Sequence, residues 1–282
     1  MPVKRLCQYI IWVEVMKSGF ELTKILITVL TYPHPSQKYQ ETVCTAGLTE
    51  SGEWVRLYPV DYRYLPKCQQ FKKWQRIEIA LAPWGHSSDK RRESREPDLF
   101  SIRLLGEPIS PKDSWRARSE IIDRLPHHTI QELKELYKSK NISLGIVRPK
   151  KILDLKVTTS ERDWADKYQS LWSQKRLFGE QKPLRKIPYK FQYVFECEGS
   201  DKPHHIMNLD WELGVLFLKE CDRLDSEKKA IQSIKDKFLG QMCRDDRDTR
   251  FFMGTRHPYN EWLVLGTFWP PKIQPEKTLF DQ

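Results

Sequence analysis

The first third of the chain alternates between apolar and polar positions in short runs that turn residues interrupt. Residues 24–32 are rich in Ile, Val and Thr and are followed at once by Pro33, which is typical of a β-strand that ends in a turn. Residues 41–47 and 52–60 predict a hairpin, because glycines flank the short connection between them. Residues 72–82 and 100–109 repeat the strand pattern, so this region predicts a small barrel or sandwich.

The second hairpin strand carries large aromatic and basic side chains opposite an aliphatic stripe. With the strand period of two, Trp54, Arg56 and Tyr58 share one face, while Val55 and Leu57 share the other. The next strand repeats the arrangement, with Trp74, Arg76 and Glu78 on one side and Ile77, Ile79 and Leu81 on the other. The aliphatic faces predict a core, and the aromatic and arginine faces predict a paired surface.

Helical spacing appears after this β-rich region. Ser110-Pro111 opens a helix that reaches about Leu125, and Thr129 is the expected N-cap of the next one, which we interpret as a helical insert. The remaining pattern predicts strands at 143–159, 189–199, 204–210, 250–256 and 262–269, and helices at 161–174, 211–221 and 225–240.

These elements indicate an α+β protein with the following predicted division. Residues 1–20 form an N-terminal extension, 21–172 a β-barrel domain with a helical insert, 173–188 a basic linker, and 189–282 a second α+β domain. The linker is predicted from its basic, turn-rich composition.

The net charge of +10 at pH 7 narrows the classes of partner. The excess of Lys and Arg over Asp and Glu lies between residues 51 and 200, which favours a polyanionic ligand, although solubility alone is a sufficient explanation. No apolar run is long enough to cross a bilayer, so no membrane association is expected. The six cysteines include no Cys-x-x-Cys pair, which favours a reducing cytoplasm.

Several of these segments resemble an uncharacterised prokaryotic family described as a dual-OB-containing domain. The resemblance is carried by WVRLYPV (54–60), FKKWQRIE (71–78), the basic run 89–95, SLGIVRPKK (143–151), FFMGT (251–255) and WLVLGTFWPP (262–271). It implies two small OB-like β-barrel domains with helical insertions, a nucleic-acid ligand, and a role in prokaryotic antiviral defence or mobile elements. The helix content of the second half departs from a plain OB pattern, and the family offers no catalytic residues.

The face of Trp54, Arg56 and Tyr58 is suited to single-stranded DNA or RNA, because aromatic rings stack on bases and arginines contact phosphates. The equally weighted alternative is that these side chains are buried beneath the helices of 111–140, with Arg56 or Arg76 paired to an acid such as Glu78. The basic run beside it would add contacts without sequence preference, or is a solvated charge run. The candidate nucleic-acid-binding residues are Trp54, Arg56, Tyr58, Arg63, Lys72, Lys73, Trp74, Arg76, Arg91, Arg92 and Arg95.

Catalytic signals are weaker. Asp154-Leu155-Lys156 has the Asp-x-Lys form of restriction-type nucleases, which need a further acid such as Asp123 or Glu135 to hold Mg²⁺. We therefore predict a non-catalytic nucleic-acid-binding protein without a cofactor or metal. A protein partner in a larger complex is a further expectation. A Mg²⁺-dependent nuclease and a protein-interaction scaffold are the two alternatives.

Overall fold

The computed structural model describes residues 18–86, 89–173, 183–256 and 260–272. Within these ranges the protein is mainly β-sheet with a smaller share of helix, which confirms the predicted α+β class. Most of the predicted extension, residues 1–17, and residues 174–182 of the predicted linker lie outside the described residues. No helix of the described ranges is long and apolar enough to cross a membrane.

The N-terminal half, residues 18–125, contains a six-stranded sheet and a small hairpin. Its strands are β1 (Glu21–Leu30), β2 (His34–Ser36), β3 (Gln40–Thr42), β4 (Thr45–Thr49), β5 (Trp54–Leu57), β6 (Arg76–Leu81), β7 (Ser94–Arg95) and β8 (Pro97–Leu105). The main sheet has the order β7-β5-β4-β1-β6-β8, and β2 pairs with β3 separately.

One run of chain reaches both edges of this sheet. β7 pairs in parallel with β5, whereas β8, which follows after a single residue, pairs with β6 in the antiparallel sense. The inner face of the sheet is aliphatic, as the alternation predicts: Val55 and Leu57 pack there with Ile77, Ile79 and Leu81. Burial of these side chains is the main favourable term in folding this half.

The C-terminal half, residues 126–272, has two sheets and most of the helices. Its strands are β9 (His127–His128), β10 (Leu144–Val147), β11 (Lys151–Thr159), β12 (Tyr189–Glu196), β13 (His204–Met207), β14 (Arg250–Arg256) and β15 (Glu261–Phe268). Its helices are α2 (Ile130–Lys140), α3 (Asp166–Ser173), α4 (Trp211–Leu224) and α5 (Glu227–Lys235), whereas α1 (Arg116–Ile122) belongs to the N-terminal half. A π-helical turn over Asp236–Gln241 extends α5.

The two sheets of this half are connected through a continuous path. β10 pairs with β14 and β11 pairs with β12, and only residues 148–150 separate β10 from β11. β13 pairs with β12, and just beyond it Asn208 forms a parallel bridge to Val264 of β15. The helices α4 and α5 lie between β13 and β14 in the chain and cover a core that includes Phe217 and Ile234.

Side-chain capping fixes where the longer helices begin. The Thr129 hydroxyl accepts from the Glu132 amide while the Glu132 carboxylate accepts from the Thr129 amide, so the expected N-cap is a complete capping box. The helix predicted for 110–125 is shorter than expected, because Asp113, Ser114 and Trp115 have positive φ angles and α1 begins only at Arg116.

A second core joins the two halves. The outer face of the first sheet contributes Leu26, Val29 and Leu48, which pack against Phe252 and Leu263 of the C-terminal half. Trp74 also belongs to this core, whereas Arg76 is exposed. The prediction that they share a face is therefore wrong: Trp74 precedes β6 with a φ of 66°, so the alternation of the strand does not extend to it.

Candidate functional site

A cleft of about 460 Å³ with convergent charged groups lies between the two halves and is here called the central cleft. Aromatic side chains line it from both sides: Tyr32, His34 and Tyr58 from the N-terminal half, and Trp164, Tyr189 and Phe191 from the C-terminal half. Its volume is within the range of about 300–1,000 Å³ that is usual for ligand sites.

Basic side chains line the same cleft. They are Arg56, Arg91, Lys186, Lys190 and Arg256, and the acidic side chains that line it are Asp89 and Asp210. Both carboxylates already have cationic partners, Arg91 for Asp89 and Lys73 for Asp210. The cleft thus combines ring surfaces with a surplus of positive charge.

Arg56 lies at the bottom of the central cleft and is only 1% exposed. The β4–β5 pairing turns its side chain toward the C-terminal half, where Nη2 donates to the Ser143 carbonyl at 3.1 Å and hydroxyl at 3.2 Å. Nη1 donates to Sγ of Cys44 at 2.8 Å. Burial lowers the pKa of this guanidinium, and no carboxylate of the described residues is bonded to it. The expected pairing with Glu78 is wrong, since Glu78 contacts Arg103.

Arg91 is also buried, at 7% exposure, and crosses between the halves. Its Nε donates to Asp89 at 2.9 Å, and its Nη1 donates to the Thr255 carbonyl at 2.6 Å. Burial opposes the charge, but the bonds to Asp89 outweigh it and raise the pKa of Arg91. The basic run 89–95 is thus partly an internal network and not simply a solvated loop.

Lys73 and Asp210 form a third buried connection, with Nζ and Oδ1 2.6 Å apart. Asp210 also caps α4 by accepting from the Glu212 amide at 2.9 Å. Burial favours the neutral amine, but the carboxylates of Asp210 and Glu212 outweigh it and raise the pKa of Lys73. The Lys73 ammonium group is therefore engaged in a buried ion pair that connects the two halves.

A smaller cleft of about 360 Å³ lies around Lys72 and Trp74. Arg118 covers the Trp74 ring at 4.7 Å and the Trp115 ring at 5.1 Å, and the Trp74 ring is 5.5 Å from Phe268. The Trp74 ring is thus packed beneath the region of α1, as the alternative of burial predicts. Lys72 itself is exposed.

The other predicted binding residues are divided between interface and surface. Trp54 packs against Phe252 with the rings 6.0 Å apart, and Arg63 holds the buried Glu41 carboxylate through Nε and Nη2. Tyr58 and Arg95 are half-buried, while Arg76 and Arg92 are exposed. Of the predicted set, the structure brings Arg56, Tyr58 and Arg91 together in the central cleft, and it brings Lys72, Lys73 and Trp74 together in the smaller cleft.

The Asp-x-Lys pattern lies elsewhere, on β11. Asp154 is 3.5 Å from Lys235, and the side chain of Lys156 is exposed. The two candidate third acids are engaged with other partners: Asp123 pairs with Arg250, and Glu135 accepts from Gln131. Among the described residues, no three His, Cys, Asp or Glu side chains form a group that could hold a metal ion.

The sequence did not single out the C-terminal side of the central cleft. Tyr189 is the first residue of an alternating aromatic strand that is typical of a core, and Trp164 belongs to a helical pattern. The local sequence feature that indicates this side of the cleft is Tyr189-Lys190. A lysine beside an aromatic residue at the start of a strand is suited to the edge of a cleft, and Lys190 is exposed.

Comparison with known proteins gives families without an assigned activity. A domain of unknown function, DUF8757, matches residues 126–282, and another, DUF8758, matches residues 21–124. No curated protein matches the chain. A solved structure described as a murine DNA binding protein bound with ds DNA is similar at a TM-score of 0.29 and 10% identity, covering 92% of this chain and 100% of that chain. A TM-score this low supports no inference about the fold or function of this chain.

Proposed function

We propose that this chain, which belongs to the DUF8757 family of domains of unknown function, is a non-catalytic protein that binds single-stranded nucleic acid. The observation that carries the proposal is the central cleft, where aromatic rings and basic side chains converge. Rings offer stacking surfaces for bases, worth roughly 1–3 kcal/mol for each base, and the basic side chains attract the phosphate backbone. Duplex bases are already stacked on one another, so the proposal favours single strands.

We also propose that each half is an OB-like barrel, as the resemblance implies. In the N-terminal half, the support is that residues 94–105 pair with β5 and then with β6, so one run of chain borders both edges of the sheet. In the C-terminal half, the support is that β10 and β11 pair with β14 and β12, while β13 leads to a parallel bridge with β15. OB-like barrels commonly bind oligonucleotides.

The wider setting is proposed on the resemblance, and the cytoplasmic location on the cysteine pattern. We infer a cytoplasmic component of a prokaryotic defence or mobile-element system, with a protein partner that supplies the chemistry.

Binding of labelled single- and double-stranded DNA and RNA at two salt concentrations tests the function. We expect single strands to bind more tightly, with an affinity that falls steeply as salt rises. Lys190→Glu removes a positive charge from the rim of the central cleft and should reduce the salt slope by about 0.7 or more, the value for one phosphate contact in single strands.

Lys151→Glu is the matched control, because Lys151 is an exposed lysine of the same sheet that does not line the central cleft. The control should keep the affinity and salt slope of the unmodified protein. Equal losses in both variants would contradict the site, and absence of binding to every nucleic acid at low salt would contradict the function. A stable complex with a protein partner and no nucleic-acid affinity would favour the scaffold.

A further inference from the structure

The bottom of the central cleft contains buried polar atoms that lack a hydrogen-bond partner among the described residues. They are Nε of Arg56, Nδ2 of Asn208 and Oγ1 of Thr255, on residues that are 1%, 4% and 4% exposed. All three residues line the central cleft. Buried donors without partners are rare in folded proteins because they forfeit their bonds to water, so three such atoms on residues that line one cleft indicate a ligand.

The chemistry of these atoms defines the ligand class. The guanidinium and amide nitrogens can only donate, and the threonine hydroxyl can donate as well, so the group that satisfies them presents several acceptor oxygens. Within the part of the chain that the structure describes, Arg56 has no carboxylate partner, and the Asp89 and Asp210 carboxylates are bonded to Arg91 and Lys73. The bottom of the cleft therefore favours an anion with clustered oxygens.

The aromatic lining of the central cleft favours a ligand with a flat ring. Tyr58, Trp164 and Tyr189 line the central cleft and are half-buried, so they are more exposed than the residues that carry the unpartnered atoms, and Lys190 is exposed. The Trp164 ring is held in place because its Nε1 donates to the Leu184 carbonyl at 2.8 Å and its centroid is 5.5 Å from that of the His34 ring, in a T-shaped arrangement. A ligand that contacts both the unpartnered buried atoms and the aromatic rings has an oxygen-rich anion at one end and an aromatic ring at the other.

Resting on the proposed function, we propose that the central cleft binds a nucleoside that carries a phosphate monoester, with the phosphate on Arg56, Asn208 and Thr255 and the base against the aromatic rings. A monoester fits the buried end better than an internal phosphodiester. The nucleic-acid backbone continues from two oxygens of a diester, whereas a monoester is attached to the nucleoside through one oxygen only. Its charge near −2 and its three strong acceptor oxygens match the donors. The monoester can be the end of a strand or a free mononucleotide.

Two isosteric substitutions test the phosphate site without removing the buried arginine. Asn208→Asp replaces the unpartnered Nδ2 by an oxygen and keeps Oδ1 as the acceptor of the Asp210 amide, which it contacts at 2.9 Å. Thr255→Val removes only the hydroxyl. Thr28→Val is the matched control, since Thr28 is 1% exposed with an equally unpartnered hydroxyl but lies outside the central cleft.

The experiment measures the affinity of one single-stranded sequence with a 5′-phosphate, a 3′-phosphate or hydroxyl ends, together with a nucleoside monophosphate. One phosphorylated end should bind about ten- to a hundred-fold more tightly than the hydroxyl-ended strand, the range for charge-assisted hydrogen bonds. Asn208→Asp and Thr255→Val should reduce this preference, and Thr28→Val should retain it.

The outcomes separate this inference from the proposed function. Equal affinity for phosphorylated and hydroxyl-ended strands, without binding of the monophosphate, overturns the inference and leaves strand binding intact. Binding of the monophosphate without binding of any strand supports the inference and overturns the proposed function. A preference for phosphate that survives Asn208→Asp and Thr255→Val, measured in protein with an unchanged circular dichroism spectrum, overturns the assignment to this cleft.

Discussion

Asp89 shows at the scale of a residue how the chain stabilises a buried charge near the central cleft. Its carboxylate accepts from Nε of Arg91 and from the Ser94 hydroxyl, which is 2.6 Å from Oδ2. Burial alone would raise the pKa of Asp89, but these bonds outweigh it and lower the pKa to about 2 from an ordinary value of 3.8. Because Arg91 also bonds the Thr255 carbonyl, this carboxylate orients a contact between the two halves.

The depressed pKa of Asp89 predicts how stability depends on pH. A carboxyl whose pKa is lower in the folded state stabilises the protein above its unfolded pKa, and this contribution is lost as pH falls from about 4 to about 2. Asp89→Asn should therefore lower the urea midpoint at pH 5, and the difference from the unmodified protein should shrink toward pH 2.

Urea unfolding at intervals between pH 5 and pH 2 provides the measurement. Asp201→Asn is the control, because Asp201 is exposed and its substitution should leave the midpoint unchanged across the range. A difference between Asp89→Asn and the unmodified protein that stays constant from pH 5 to pH 2 would contradict the role of the ionised carboxylate.

At the scale of an element, the β1–β4 ladder requires a glycine. A Cβ on Gly47 would lie 2.3 Å from the Leu26 carbonyl oxygen, which belongs to the backbone of the neighbouring strand and cannot move aside as a side chain can. Val29 and Leu48 of the same two strands pack in the core between the halves, so displacement of the ladder would disturb that contact as well.

Gly47→Ala should therefore lower the free energy of unfolding by about 1–3 kcal/mol, the usual cost of overpacking. Gly240→Ala is the matched control with the opposite sign: its Cβ would come no closer than 3.9 Å to the atoms around it. There the substitution should stabilise the protein by about 0.4–1 kcal/mol, since it restricts the unfolded chain without strain. Chemical unfolding of both variants measures the two values, and a neutral Gly47→Ala would contradict the close approach.

The elements themselves were largely predictable from the sequence, because each depends on local spacing. The strand around 24–32, the Thr129 cap and the two final strands follow from the hydrophobic pattern and capping chemistry, and the structure has all of them. The exceptions depend on the backbone: the positive φ of Trp74 and of residues 113–115 breaks the periodicity that placed Trp74 beside Arg76 and extended the first helix. Single residues in this conformation leave little trace in a hydrophobic pattern.

At the scale of the whole molecule, the candidate site could be predicted only in part. Arg56, Tyr58 and Arg91 were candidates because aromatic and basic side chains cluster there in sequence. Asn208 and Thr255 reach the same cleft only through the packing of the C-terminal half, and nothing local distinguishes them from ordinary strand residues. Which aromatic faces meet a ligand and which meet the protein depends on how the two halves dock, and that depends on contacts distant in sequence.

The docking of the halves predicts that the molecule unfolds as one unit. Their shared core is reinforced by buried polar contacts from Arg56 to Ser143, from Arg91 to Thr255 and from Lys73 to Asp210. Separation would expose both the apolar surface and these charged groups, so neither half should remain folded when the other opens.

Ile27→Val and Ile234→Val test this with the same chemical change in the separate cores of the two halves, where each isoleucine is fully buried. Each should lower the free energy of unfolding by about 0.5–1.5 kcal/mol. If the halves unfold together, hydrogen exchange should show this loss in the most protected amides of both β1 and β12, whichever variant is measured. Loss of protection in β1 alone for Ile27→Val, and in β12 alone for Ile234→Val, would mean that each half opens independently and that the central cleft can widen without global unfolding.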